Sequence, residues 1–146
     1  MGKPLAENRR ARHDYEFLEK FEGGLVLTGP EVKAAKAGRA QLNGAFLFVR
    51  GGELWLNNAQ IARYAPAGPQ PDYQPQRLRK VLVTRRELDR LLGKTHGTGL
   101  TLVPISLYVQ RGLVKLSFAL ARGKRAYEKR ETIKRRQAAR EDREHT

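Results

Sequence analysis

The chain has 146 residues, room for one small domain with a normal core and a short appendage. It has no cysteine, and His13, His96 and His145 stand at no ligand spacing, which leaves disulfides and thiolate metal sites out of account. Lys and Arg number 29 against 15 Asp and Glu, a formal charge of +14 whose long-range field favours a polyanion, most often nucleic acid.

Residues 1–12 are polar and basic and read as a flexible arm. They lack the apolar stretch of a secretory signal, and no apolar run approaches the length of a membrane span, so the expected location is the cytoplasm, away from membranes. Between His13 and Leu27 the apolar residues Tyr15, Phe17, Phe21, Leu25 and Leu27 fall at odd positions, which predicts a strand bending at Gly23-Gly24. "TGPEVKAAKAG" predicts a helix over Pro30 to Ala37, capped by Thr28 or Gly29 and stopped at Gly38. "AQLNGAFLFVRGGELWLNN" is a hairpin turning at Gly51-Gly52, where two residues of positive φ are needed.

Residues 64–76, with four prolines, predict an extended surface loop. "RKVLV" is a short strand. "TRRELDRLLGK" is a second helix, with Thr84 as cap, Glu87 three residues on as in a capping box, and Gly93 as stop; Leu88, Leu91 and Leu92 make its apolar face. Residues 100–121 form the clearest hairpin: Val103, Ile105, Leu107 and Val109 alternate on one strand, Val114, Leu116, Phe118 and Leu120 on the other, with the turn at Arg111-Gly112. Pro104 inside the first strand points to an edge position or a bulge. About six short strands and two or three short helices predict a mainly β fold, an OB-like antiparallel Greek-key barrel over 1–121 with a basic tail over 122–146.

Catalytic signals are lacking. There are no carboxylates paired at a strand end, no nucleophile motif, no glycine-rich phosphate loop before a helix and no metal cluster, so the reading is a binding protein with no cofactor and no metal, not an enzyme. Ten of the cations and five of the acids fall in 122–146, which leaves +9 on residues 1–121, so the body is basic in its own right.

Three stretches suit RNA. Arg77, Arg79 and Lys80 cluster at the start of a strand, where they can hold phosphates, and Arg85, Arg86, Arg90 and Lys94 follow on the helix; the repelling i,i+4 pair Arg86–Arg90 tilts this stretch toward a partner over a solvated face. Lys33 and Lys36 share a helix face with Arg39 just beyond, as suits either phosphate contacts or plain solvation. "NRRARHDY" combines Asn8, Arg9, Arg10, Arg12, His13 and Tyr15, donors and rings of the kind that meet unstacked bases, or else forms a disordered arm. The tail has helical preference and no apolar stripe, since Ile133 is its one sizeable apolar residue from Glu128 onward. It is expected to be disordered alone and helical against a polyanion.

The blocks "NRRARHDY", "FEGGLVLTGPEVKAAKAGRAQL", "RLRKVLVTRRELDRLLGKT", "LTLVPISLY" and "ARGKRAYEKRETIKRR" resemble, in order and spacing, the small protein B family of bacterial trans-translation. Pro30, Ala35 and Glu128 depart from its usual residues. The resemblance implies an OB-like barrel that binds the tRNA-like domain of transfer-messenger RNA and delivers it to stalled ribosomes, as a monomer. It puts Glu22 and Leu82 at the RNA face beside Asn8, Arg12, His13 and Tyr15, and Gly123, Lys124 and Arg125 at the body–tail junction. It also implies that the tail becomes a helix in the empty mRNA channel: Tyr127 stacks on a decoding-centre base, Lys129 and Arg130 grip the small subunit's ribosomal RNA, and Lys134 and Arg135 follow. The competing reading is a ribosomal or general single-stranded-RNA-binding OB protein.

Overall fold

Alternating apolar side chains build a sheet whose pairings run in a ring. The computed structural model describes residues 3–124, which begin with β1 (Ala6–Glu7), α1 (Arg9–Asp14), β2 (Tyr15–Leu25), α2 (Gly29–Lys36) and β3 (Ala40–Gln41). There follow β4 (Phe46–Arg50), β5 (Glu53–Asn57), β6 (Gln60–Ile61), a 3-10 turn (Ala65–Ala67), β7 (Arg79–Leu82), α3 (Arg85–Thr95), β8 (Thr101–Gln110) and β9 (Leu113–Gly123). β2 pairs with β7 and β9, β9 with β8, β8 with β4, β4 with β5, and β5 with β7, all antiparallel. Six strands thus close on themselves, which is the mainly β, barrel-like architecture expected, and closure removes open edges. β1 extends the wall by pairing with β8 at Ser106 and Leu107. Among the described residues no helix is long and apolar enough to cross a membrane.

The turns are where the glycines require them. Gly51 and Gly52 have φ of 61° and 73°, and Arg111 and Gly112 have 53° and 77°, the paired left-handed conformations that match strand twist in a two-residue hairpin. At the Gly23-Gly24 pair β2 passes from β9 to β7, and Gly23 also serves close packing. A Cβ on Gly23 would stand 2.7 Å from Val81 Cγ1 and 3.0 Å from the Leu82 carbonyl oxygen, so glycine lets β2 and β7 approach.

Two bulges rephase the alternation, one in β8 at Pro104, where an edge position or a bulge was expected, and one in β2 that was not foreseen. Register slips between Phe17 and Glu19 in β2 and between Pro104 and Ser106 in β8, so Pro104 marks a bulge. Leu102 and Leu107, on either side of the second slip, lie opposite the core residues Leu120 and Leu116, while Val103 lies opposite Ala119 on the outer face. Val103 therefore leaves the predicted Val103–Val109 stripe. It packs with Ala11 and Ala121 in a second small core, joined by Tyr15 and Phe17. The small side chains of Ala119 and Ala121 on β9 leave room there for α1.

The N-terminal arm, expected to be free of the body, is tied to β8. Leu5 N–H donates to Leu107 O at 2.7 Å and Asn8 N–H to Ile105 O at 2.8 Å. In α2, Thr28 and Glu31 form a full capping box, and Ala34 and Ala35 are buried. In α3, Leu88 and Leu91 enter the core but Leu92 is 46% exposed, so the predicted three-leucine face has two members. Gly93 does not stop this helix. It takes no left-handed φ, and α3 continues to Thr95, whose hydroxyl donates to Leu91 O at 2.8 Å.

Candidate nucleic-acid interface

Antiparallel pairing of β2 with β9 brings the N-terminal block to the start of the tail. Tyr15 lies opposite Gly123 and Glu16 opposite Arg122, with the Arg122 guanidinium on the Glu16 carboxylate. Lys124 N–H donates to Asp14 O at 2.9 Å and Lys124 Nζ to Arg12 O at 2.9 Å. His13 Nδ1 sits 2.9 Å from Asp14 Oδ1. Arg12, His13, Tyr15, Gly123 and Lys124, distant in sequence, thus share one end of the barrel. Arg12 is exposed, and His13 and Tyr15 are half-buried.

Asn8 belongs to this end without presenting itself to a ligand. It is 4% exposed; its Oδ1 accepts from Ala11 N–H at 3.2 Å as the cap of α1, and its Nδ2 donates to Pro104 O at 2.9 Å. That spends both ends of the amide, so Asn8 holds α1 onto the β8 bulge and shapes the surface indirectly.

Glu22 lies further along β2, roughly 20 Å from Tyr15 by strand rise, and Leu82 stands beside it at the end of β7. Leu82 is 54% exposed and pairs with Gly24, two residues from Glu22. A hydrogen bond from the Tyr108 hydroxyl, then Lys115 at 3.2 Å, holds the Glu22 carboxyl below its ordinary range. Burial, then the facing carboxylate, pushes the Tyr108 hydroxyl well up. The carboxylate is thereby fixed as an oriented acceptor. Tyr108 escaped the sequence reading, although the hairpin register alone sets it opposite Lys115.

The expected phosphate cluster of Arg77, Arg79 and Lys80 is not present as such. Arg79 is wholly buried and Glu31 is 1% exposed. Arg79 Nε and Nη2 reach Glu31 Oε2 at 2.8 and 2.7 Å, and its other donors go to Ala59 O at 2.8 Å and Pro75 O at 2.9 Å. Arg77 bonds the same carboxylate through Nη2 and, at 3.1 Å, through Nε. Tyr73 completes the network, its hydroxyl donating to Ile61 O at 2.7 Å and accepting from Arg79 Nη2 at 3.1 Å. Burial raises the Glu31 carboxyl, but bonds from Arg77, the Thr28 N–H and Arg79 outweigh it and hold it down at about 2. Arg79 is a core residue because Glu31, read as a helix-end acid, points inward from the cap of α2. The proline-rich loop is pinned here as well, through Tyr73 and Pro75. Lys80 faces outward and pairs with Glu53 at 2.9 Å.

Lys33, Lys36 and Arg39 are exposed, and none has an ion-pair partner among the described residues. On α3, Arg90 and Lys94 both turn to Glu19, each at 2.6 Å, which offsets the repulsion expected on that helix face. Arg125, Tyr127, Lys129, Arg130, Lys134 and Arg135, with the predicted tail helix, lie outside the described residues.

The SmpB protein family matches residues 5–146, nearly the whole chain. The chain belongs to the SmpB family. The SsrA-binding protein of Acidothermus cellulolyticus is 52% identical over 139 residues, 95% of this chain and 87% of that one. The SsrA-binding protein of Trichormus variabilis is 47% identical over 139 residues, 95% and 90% of the two chains. A solved chain described as "tmRNA-SmpB: a journey to the center of the bacterial ribosome" is 47% identical. It superposes with a TM-score of 0.68, covering 87% of this chain and 92% of that one. The SmpB match runs through the basic tail as well as the barrel, so the tail is family sequence and not a stray extension.

Proposed function

We propose that this chain binds the tRNA-like domain of transfer-messenger RNA and delivers it to stalled ribosomes in the cytoplasm, as a binding protein and not as an enzyme. The observation that carries this reading is membership of the SmpB family over residues 5–146, with relatives at 47–52% identity named for binding SsrA. The geometry supports a division of labour. Arg12, His13, Tyr15, Gly123 and Lys124 form one RNA-facing end, with Glu22 further along β2 and Leu82 beside it on β7. Lys33, Lys36 and Arg39 add phosphate contacts from α2. Arg125 continues the junction, and Tyr127, Lys129, Arg130, Lys134 and Arg135 work in the decoding centre and mRNA channel.

Competition binding tests it. The chain should prefer a folded tRNA-like RNA to homopolymer RNA by orders of magnitude; equal affinity would favour a general single-strand binder and sink the proposal. Removing residues 125–146 should spare most of the RNA affinity and abolish tagging on stalled ribosomes. A truncated chain that still tags would overturn the role given to the tail.

A further inference from the structure

β4 and β5 carry an aromatic surface that neither the core nor the interface described above uses. Leu47, Leu54 and Leu56 point into the barrel, so Phe46, Phe48 and Arg50 share the outer face of β4, and Trp55 faces the same way from β5. Phe48 lies opposite Trp55, and Trp55 opposite Lys80 of β7. The Phe46 and Phe48 rings are 6.0 Å apart, tilted by 41°. Arg50 places its guanidinium 4.7 Å from the Phe48 ring centre. Trp55 Nε1 donates to Arg50 O at 3.2 Å, which fixes the indole in place. Phe46 is 37% exposed, and Phe48 and Trp55 are half-buried.

Aromatic rings two residues apart on a strand are separated by about 6.6 Å, close to the spacing of successive bases in an extended strand. Rings flanked by cations suit nucleotides, with a base on each ring and a phosphate on each charge. An apolar protein partner would have no use for Arg50, which is exposed, whereas Lys80 is held by Glu53 at 2.9 Å. The patch is also continuous with the interface already described. Phe46 helps line a cavity of about 190 Å³ with Arg10, Ala11 and Tyr15, and Lys80 is two residues from Leu82.

We propose that the outer face of β4, β5 and β7 is a second RNA surface, on which Phe48 and Trp55 stack unpaired nucleobases while Arg50 holds a flanking phosphate. This rests on the RNA-binding reading above and extends it to single-stranded segments.

Trp55 is the only tryptophan of the chain, so its fluorescence reports on this surface in the unaltered protein. Oligouridine should quench it saturably, and quenching should weaken with salt. Phe48→Thr with Trp55→Thr keeps β-formers in the strands and should weaken oligouridine binding, followed by anisotropy of labelled RNA, by about 5- to 100-fold. Trp55→Phe should retain it. Arg50→Gln should lower the salt slope by about 0.7. Binding of oligouridine with unchanged Trp55 emission, or equal binding by a folded double threonine variant, overturns this surface and leaves the functional reading intact. Loss of the family-level reading would show differently, as failure of the wild type to bind a tRNA-like RNA at all.

Discussion

Replacing Glu31 by Gln removes one negative charge and almost no volume. Arg79, wholly buried, then keeps its cation with carbonyl partners but no anion. Breaking a buried pair from one side costs about 3–5 kcal/mol, because the remaining charge stays desolvated. Against a total of about 5–15 kcal/mol for a domain of this size, melting should fall by roughly 10–20 °C. The carboxyl gives an independent figure. Its folded value near 2 lies below the ordinary 4.5, which corresponds to about 3 kcal/mol of stabilisation. A depressed carboxyl contributes in full above its unfolded value, and the contribution is lost as pH falls through the folded value. The gap between wild type and Glu31→Gln should therefore be constant from neutrality to about pH 4.5 and close between about 4.5 and 2. Urea unfolding followed by far-ultraviolet circular dichroism at stepped pH measures it. A gap under about 1 kcal/mol at pH 7, or one indifferent to acid, would refute the reasoning. Arg79→Met in the Glu31→Gln background should recover part of the loss, since the stranded cation is gone.

Gly23→Ala places a methyl group 2.7 Å from Val81 Cγ1 and 3.0 Å from the Leu82 carbonyl, so β2 and β7 must part; a loss of about 1–3 kcal/mol in urea unfolding is expected. Asn8→Ala removes the cap of α1 and its bond to Pro104 O, costs about 1–2 kcal/mol, and should speed hydrogen exchange at the Ala11 amide. Lys33→Gln with Lys36→Gln should leave melting unchanged, because neither residue has an ion-pair partner among the described residues, and should lower the salt slope of RNA binding by about 1.4.

The β8–β9 hairpin, both two-residue turns and the caps at Thr28 and Thr84 were legible in the sequence because each depends on near neighbours. Alternation and turn glycines are local signals, and pairing across a short turn follows from them. What stayed hidden depends on contacts between distant segments. The β2 bulge inverts the facing of one half-strand with no local sign, and although Pro104 offered a bulge in β8, nothing local distinguishes Val103 from Leu107 as residues on opposite faces. The tie between the N-terminal arm and β8 rests on Leu5 and Asn8 finding carbonyls a hundred residues away. For the site, residue type identified Arg12, Tyr15 and Lys36 as exposed or half-exposed candidates, but it could not separate them from Arg79. An arginine in a basic run reads the same whether or not a glutamate 48 residues earlier turns inward to meet it.

That separation changes what the net charge means. Many of the body's acids are committed: Glu31 to Arg77 and Arg79, Glu19 to Arg90 and Lys94, Glu22 to Lys115, Glu53 to Lys80 and Glu16 to Arg122. These pairs draw cations of β7, α3 and β9 into local neutrality, so the stretch richest in arginine by sequence adds little to the field. The field that remains comes from cations with no such partner among the described residues, and Lys33, Lys36 and Arg39 sit together on one such surface. An anion approaching through water feels that uncompensated surface first, because paired charges fall off as dipoles within the screening length. On the proposed reading, steering by α2 and capture by the α1 end are separate jobs. Neutralising Lys33 and Lys36 should slow association with RNA while leaving dissociation nearly unchanged, whereas losing the Tyr15 ring should act chiefly on dissociation.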